Sequence, residues 1–321
     1  RDNCQTTIAG MHPSTPYTTG LEAQEVWRLA PGVVKMFGVT LIQATRNLSA
    51  MGLGKPKKRD KGKMGRQPFE NRPAHWVLSE VGKSVLRPGG QELTHALVDE
   101  LTVSAEDDVI EFAPGRGATA KHVLDRDPNS YIGVERDRKA AAALADEITG
   151  SDREIRVGTA GDTELGSTSA DVVYGEAMLT MQPDDGKTQI ISEANRLLRS
   201  GGVYGIHELG LRSDDLDDAT TSRIHEDLSQ VLNVNAGPLS GTEWVELLDS
   251  AGFDEIWRGQ APMKLLDPRR VISDEGLLGA LRIGFNVATT PAARNRIQEM
   301  RRIFNRYDQQ LHAIAIVARK R

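Results

Sequence analysis

The stretch that decides the fold is VIEFAPGRG, residues 109–117. Its apolar first half predicts a short buried strand, and its second half predicts a glycine-rich turn that opens a helix. Gly115 and Gly117 permit backbone dihedral angles that other residues avoid, and they let a ligand approach the backbone closely. No Gly-Lys-Ser/Thr follows and residue 120 is alanine, so neither the triphosphate-binding loop nor a complete G-x-G-x-x-G pattern is present.

Outward from this turn, the chain from residue 75 alternates short apolar strands with amphipathic helices. We predict strands at residues 108–112, 131–135, 154–157, 171–174 and 202–208, with helices between them at 118–124, 138–149 and 188–198. Repeated strand–helix units with right-handed crossovers form a parallel sheet. The predicted fold class is therefore α/β, with a doubly wound, mostly parallel sheet.

Two regions differ from this alternation. Residues 1–74 are predicted to be an N-terminal helical segment and a basic linker, because residues 55–66 carry seven Lys or Arg against one Asp. Residues 75–321 are predicted to be one domain, interrupted at about residues 212–306 by a helical insertion on the substrate side. The dense apolar run at residues 311–318 predicts a last strand that returns to the interior of the sheet.

Composition excludes several classes of protein. The net charge of −5 argues against a nucleic-acid coat, so no nucleic-acid partner is expected. Cys4 is the only cysteine, which excludes an internal disulfide and a cysteine-based metal site, and no metal is expected. No apolar run approaches the ~18 residues needed to cross a bilayer, and no signal peptide is evident. We expect a cytoplasmic protein without a membrane partner; a homo-oligomer stays open.

Two carboxylates beside the turn indicate the kind of ligand. Glu135 ends the next predicted strand, 20 residues after Gly115. A carboxylate there can accept hydrogen bonds from both hydroxyls of a ribose. Glu111 lies immediately before the glycines, where its charge would repel a pyrophosphate but would suit a cationic ligand, such as an ammonium group or a sulfonium.

Taken together, these segments resemble the class I S-adenosylmethionine-dependent methyltransferases. EFAPGRG (residues 111–117) resembles motif I of that superfamily, usually written E/D-x-G-x-G-x-G, with Ala113 where the first glycine is usual. The resemblance continues through YIGVERD (131–137), ADVVYGEAMLTM (170–181) and RLLRSGGVYGIHEL (196–209). GTEWVELLDSAGF (241–253) is similar to a helix of the small-molecule, type 11-like members. The resemblance implies a seven-stranded sheet whose last strand runs antiparallel.

The resemblance also implies a cofactor, S-adenosyl-L-methionine, and a set of residues around it. Glu135 would take the ribose hydroxyls. Thr159 stands where the family has an acid that faces the adenine, so Asp162 is the alternative contact. The implied cofactor-binding residues are Glu111, Ala113, Gly115, Gly117, Glu135, Thr159, Ala160, Asp162 and Gly175.

Three residues at the carboxyl ends of the central strands are the candidates for the catalytic site. Glu176 follows the fourth predicted strand, and His207 and Glu208 end the fifth. Doubly wound sheets bind their ligands at this edge. Because successive side chains of a strand point to opposite faces, at most one of His207 and Glu208 faces the pocket. Glu176 or Glu208 is expected to position the substrate, and His207 to accept a proton if the reaction needs a base.

The predicted function is transfer of a methyl group to the O, N, S or C atom of a small-molecule acceptor by in-line displacement. Two alternatives stay open. One is a methyltransferase acting on RNA or protein, which the basic residues 55–66 would support. The other is a protein that binds the cofactor without catalysis.

Overall fold

The computed structural model describes residues 72–83 and 87–321. The predicted N-terminal helices and basic linker lie outside these residues. The described helices are α1 (Ala74–Val81), α2 (Gly90–Glu100), α3 (Ala118–Leu124), α4 (Arg138–Glu147), α5 (Asp184–Leu197), α6 (Asp218–Leu232), α7 (Gly241–Ser250), α8 (Pro268–Thr289) and α9 (Pro291–Arg306). The described strands are β1 (Asp108–Phe112), β2 (Ser130–Glu135), β3 (Arg153–Val157), β4 (Ala170–Glu176), β5 (Leu198–Leu211), β6 (Leu239–Ser240), β7 (Phe253–Pro262) and β8 (Leu311–Lys320).

These strands form one sheet in the order β3-β2-β1-β4-β5-β8-β7, with the two-residue β6 added beside β5. β1 to β5 pair in parallel. β8 lies between β5 and β7 and is antiparallel to both. The predicted fold class, the antiparallel last strand and its place inside the sheet are confirmed. The strand count differs from the predicted seven by β6, which is too short to leave a periodic signal in the sequence.

Alternation along the strands divides the core between the two faces of the sheet. Ile110 and Tyr204 pack with α5 and α7 on one face, whereas their neighbours Val109 and Val203 pack with α2, α3 and α4 on the other. A third cluster joins α1, α6 and α9 to Leu211 and Leu311. The helices α6 and α9 are therefore packed at the carboxyl end of β5, and doubly wound sheets bind their ligands at this edge.

Most predicted elements occur within a few residues of their predicted bounds. β5 begins at Leu198 rather than at residue 202, α5 begins at Asp184 rather than at residue 188, and α8 contains a break. Gly276 has φ 69° and ψ 170° inside α8. A single glycine in a helical pattern does not by itself indicate such a break.

Candidate active site

The turn after β1 has the conformation that its glycines suggest. Ala113, Gly115 and Gly117 have φ values of 53°, 57° and 72°. A Cβ on Gly117 would lie 2.2 Å from Cδ1 of Leu144, so glycine is required there for packing. A Cβ on Gly115 would meet only the carbonyl oxygen of Ala113, at 3.9 Å. The space above Gly115 is therefore open, as an approaching ligand requires.

Glu135 is tied to this turn. Its Oε2 accepts a hydrogen bond from the N–H of Gly115 at 3.0 Å, and its Oε1 accepts one from the N–H of Asp137 at 2.8 Å. Each carboxylate oxygen can accept a second hydrogen bond. The end of β2 thus presents a fixed carboxylate with spare acceptor capacity beside the open space, which fits a ribose diol.

Glu111 is a buried carboxyl group in the wall behind the turn. Its Oε2 accepts hydrogen bonds from the hydroxyls of Tyr131, at 2.5 Å, and Tyr174, at 2.6 Å. Burial raises the pKa of Glu111 to about 7, although the two tyrosine hydroxyls oppose that rise. Both ionisation states are therefore populated at neutral pH, and a nearby cation would favour the carboxylate.

The segment after β3 makes a tight turn. The hydroxyl of Thr159 donates to the carbonyl oxygen of Asp162 at 3.3 Å, and the N–H of Asp162 donates back to the carbonyl oxygen of Thr159 at 3.2 Å. Thr159 and Asp162 are exposed, and Ala160 packs against the core. The predicted contact with adenine stays a prediction at both positions.

Glu176, at the end of β4, is the centre of a polar cluster, which we call the Glu176 cluster: Arg87, Thr94, Thr119, Glu176 and His207. Oε1 of Glu176 accepts a hydrogen bond from the hydroxyl of Thr94 and lies 2.7 Å from Nδ1 of His207. Oε2 of Glu176 accepts a hydrogen bond from the hydroxyl of Thr119 and lies 3.3 Å from Nη1 of Arg87. Burial would raise the pKa of Glu176, but Arg87 and the donors lower it to about 2. Glu176 is therefore ionised and is a weak base.

His207 is fully buried between two acceptors. Its Nδ1 faces the Glu176 carboxylate, and its Nε2 lies 2.6 Å from the carbonyl oxygen of Pro88. The hydroxyl of Thr94 also lies 3.5 Å from Nδ1. Both ring nitrogens of His207 therefore face protein groups, and neither is open to a substrate.

Glu208 points to the other face of β5, as the alternation predicts. It accepts hydrogen bonds from the backbone N–H groups of Met178, Leu179 and Thr180, and from the Thr180 hydroxyl. Burial raises the pKa of Glu208, and these hydrogen bonds oppose the rise. All of these contacts shape the loop after β4, so Glu208 is separated from the Glu176 cluster. Gly175 is also buried, and a Cβ there would lie 3.1 Å from Sδ of Met178.

Sequence reasoning missed three members of the cluster: Arg87, Thr94 and Thr119. Thr94 and Thr119 lie on α2 and α3, where a threonine in an amphipathic helix gives no signal of its own. Arg87 precedes the turn Pro88-Gly89-Gly90, whose two glycines have φ values of 73° and 67°. Two adjacent glycines after a proline were the available signal of a closely packed turn.

Within the part of the chain that the structure describes, no group of three His, Cys, Asp or Glu residues could hold a metal ion, and no helix is long and apolar enough to cross a membrane.

A doubly wound sheet with a glycine-rich turn after β1 and an acid at the end of β2 is an arrangement that class I methyltransferases share. The family model described as "Methyltransferase domain" matches residues 110–206. A protein of Haemophilus influenzae named "uncharacterized protein" is 32% identical over 250 residues, which are 77% of this chain and 97% of that protein. The chain belongs to the class I S-adenosylmethionine-dependent methyltransferases, and it is an enzyme whose cofactor is S-adenosyl-L-methionine.

Similar solved structures share the fold at low sequence identity. One is described as the [4+2]-cyclase SpnF, with a TM-score of 0.59 and 15% identity over 78% of this chain and 93% of that one. Another is a phosphoethanolamine N-methyltransferase of Haemonchus contortus, with a TM-score of 0.58 and 15% identity over 76% of this chain and 57% of that one. A third is a geranyl diphosphate methyltransferase, with a TM-score of 0.53 and 16% identity over 72% and 85%. These similarities support the fold, and they do not identify the methyl acceptor.

Proposed function

We propose that this methyltransferase acts on a small molecule, and that Glu176 positions the acceptor without taking a proton from it. The observation that carries this proposal is the enclosure of the Glu176 cluster. The side chains of Glu176 and His207 are 6% and 0% exposed. A buried polar site at the end of β4 suits a small ligand better than an RNA strand or a protein side chain on a large surface.

The roles proposed for the cofactor-side residues follow from their geometry. Glu135 would accept the ribose hydroxyls, and the open space above Gly115 would admit the cofactor chain. Glu111 would face its positive charge. When bound, the cofactor supplies a methyl group on a sulfonium, which is a good leaving group. The protein then has to align donor and acceptor and exclude water.

The state of the Glu176 cluster bears on the need for a base. An efficient general base has a pKa near the working pH, whereas Glu176 has a pKa of about 2. Both ring nitrogens of His207 already face protein acceptors, the Glu176 carboxylate and the carbonyl oxygen of Pro88. The cluster is therefore better arranged to orient the acceptor than to deprotonate it, which favours a nucleophile that is already unprotonated at neutral pH.

RNA is the second candidate acceptor, because a ribosomal RNA small subunit methyltransferase A of Maridesulfovibrio salexigens is 34% identical over 73 residues, which are 23% of this chain and 27% of that enzyme. The cytoplasm stays the expected compartment, and fractionation of cells tests it.

A labelling experiment distinguishes a small-molecule acceptor from an RNA or protein acceptor. The enzyme is incubated with methyl-labelled S-adenosylmethionine and, separately, with small-molecule, RNA and protein fractions of a cell extract. We expect label in the small-molecule fraction alone; label in RNA or protein would overturn the proposal. E135Q should reduce the labelling and weaken cofactor binding by about 1.5–3 kcal/mol, because it removes a charged acceptor. E147Q, which changes an exposed glutamate on α4, is the matched control.

A further inference from the structure

Arg87 is a buried cation whose hydrogen-bonding capacity is almost unused. Its side chain is only 11% exposed, and its one ion pair is with Glu176, Nη1 to Oε2, at 3.3 Å. Its Nε is enclosed and has no hydrogen-bond partner. A guanidinium carries five N–H donors in a planar fork, and nearly all buried polar groups of native proteins are paired. The enclosed Nε therefore has an N–H donor for which the described residues supply no acceptor.

The backbone that follows Arg87 is tied to two elements. The carbonyl oxygen of Pro88, the next residue, lies 2.6 Å from Nε2 of His207 on β5. Asp274 of α8 accepts from the backbone N–H of Gln91 at 3.4 Å, and its carbonyl oxygen accepts from the side chain of Gln91 at 2.9 Å. This turn places Arg87 beside Glu176, and a donor placed in advance binds a ligand at a lower entropic cost.

Charge and chemistry then define the ligand group. Arg87 and His207 lie beside one ionised carboxylate, Glu176, whose oxygens already take four partners. The oxygens of Glu176 therefore leave little capacity for the remaining N–H donors of Arg87. A carboxylate or phosphate of a ligand would supply the acceptors and match the fork of the guanidinium.

We propose that Arg87 is an oxyanion-binding residue of this site, which takes a carboxylate or phosphate group of a ligand bound at the carboxyl end of β4. The proposal rests on the proposed function, because it places that ligand in the methyl-transfer site. Two sources can supply the oxyanion: the carboxylate of the cofactor's methionine part, or an acidic group on the acceptor. The acceptor in the second case is an anionic small molecule.

The test uses the full chain and its variants R87Q and R87K, with R126Q as the control. Arg126 is a surface arginine paired with Asp99, away from the cluster. R87K keeps a positive charge beside Glu176 but loses the fork, so it carries the test if R87Q folds poorly. Thermal unfolding of each variant is measured first, and only folded variants are titrated.

In the first arm, calorimetry compares S-adenosylmethionine with its decarboxylated analogue. If the oxyanion is the cofactor's, R87Q and R87K weaken binding of S-adenosylmethionine by about 10- to 100-fold but leave binding of the analogue unchanged, since hydrogen bonds to charged groups have that size. In the second arm, protein saturated with S-adenosylhomocysteine is titrated with sodium acetate and sodium phosphate at constant ionic strength. If the oxyanion is the acceptor's, the variants lose this binding at least tenfold.

R126Q should match the wild type in both arms. The proposal is overturned if R87Q and R87K keep the wild-type preference between the two cofactors and also bind both anions as the wild type does. This outcome is distinct from a failure of the proposed function, which would show as label in RNA or protein while either arm still reports loss at Arg87.

Discussion

Glu111 shows how burial sets the chemistry of a single residue in this site. Its carboxyl group contacts Tyr131 and Tyr174 and faces the network around Glu176. Two carboxyl groups with different pKa values thus lie in one site. Burial raises the pKa of Glu111 to about 7, whereas Arg87 and the hydrogen-bond donors lower that of Glu176 to about 2. Because the pKa of Glu111 is raised, the free energy of unfolding depends on pH, and this dependence can be measured without a substrate.

We expect E111Q to be more stable than the wild type at pH 8 but not at pH 4. A glutamate whose pKa is raised from 4.5 to about 7 on folding stabilises the native state only while it is protonated. That contribution is complete below pH 4.5 and is lost as the pH rises through 7, and it amounts to about 3 kcal/mol over the interval. Urea unfolding of both proteins at pH 4 and pH 8 measures the difference. A pH-independent difference between them would show that Glu111 titrates normally.

We expect substitutions at the three candidate catalytic residues to affect different measurements: the Michaelis constant for Glu176 and His207, and the free energy of unfolding for Glu208. E176Q and H207N loosen the anchoring of Arg87 and Pro88, so we expect a Michaelis constant for the acceptor at least tenfold higher, with a smaller change in kcat. E208Q removes a charged acceptor from three backbone N–H groups, so it should lower the unfolding free energy by about 1–3 kcal/mol. Single-turnover methyl transfer at several pH values and thermal unfolding give the two readouts.

A different pattern would contradict this assignment. A loss of about 10²–10⁴-fold in kcat for H207N, with preserved cofactor affinity and an altered pH profile, would identify His207 as a base. Near-wild-type behaviour of E176Q and H207N would mean that the acceptor is held elsewhere, by the helical insertion.

At the scale of elements, α8 contacts the residues around the turn at Pro88 and is interrupted at Gly276. Its first part carries Asp274, which holds the residues on both sides of the turn at Pro88, and the break at Gly276 follows two residues later. Beyond the break, Leu277, Leu278, Leu281 and Phe285 are exposed, while Ile283 is buried on the opposite side. The break therefore lets one helix serve the site with its first part and pack on α1 with its second, where Asn286 donates to the carbonyl oxygen of Val81.

G276A should destabilise the domain by about 1–3 kcal/mol. The dihedral angles of Gly276 lie in a region that is essentially restricted to glycine. No atom lies within 4 Å of a Cβ at this position, so the cost is that of the backbone alone. Equilibrium unfolding in urea measures it. Gly166 is also free of close contacts and lacks a positive φ, so G166A is the matched control and should have almost no effect. Equal stability of the two variants would contradict the reading of Gly276 as a required break.

The elements that were predicted well are those with a strong local signal. β1, β2 and the turn between β1 and α3 follow from an apolar run, two glycines and an acid at the right spacing. The break in α8 and the start of β5 were missed because Gly276 and Gly201-Gly202 are decided by packing and by φ rather than by periodicity. Arg87 was missed for another reason: it lies 89 residues before Glu176, and only the sheet topology brings them together.

At the scale of the whole molecule, the described residues have three hydrophobic clusters, which lie between Ala74 and Ala318. The segment before them is predicted to hold two helices with few aromatic residues, which bury too little surface to fold alone.

Deletion of residues 1–50 should therefore leave a cooperatively folded protein with a raised Michaelis constant or a lowered kcat. Circular dichroism and thermal unfolding report the fold, and turnover of the acceptor reports the function. Independent folding of the isolated segment, or full turnover without it, would show that the segment is a separate domain.

The position of β8 also has a consequence for synthesis on the ribosome. Of the described strands it is made last, about 100 residues after β5 ends, yet it is the strand that joins β5 to β7. At translation rates of about 5–20 residues per second, β5 waits roughly 5–20 s for β8 with one edge uncovered, and β7, which is made later, waits about half as long. Such an edge pairs readily with other chains, so the nascent chain is most prone to association before β8 emerges.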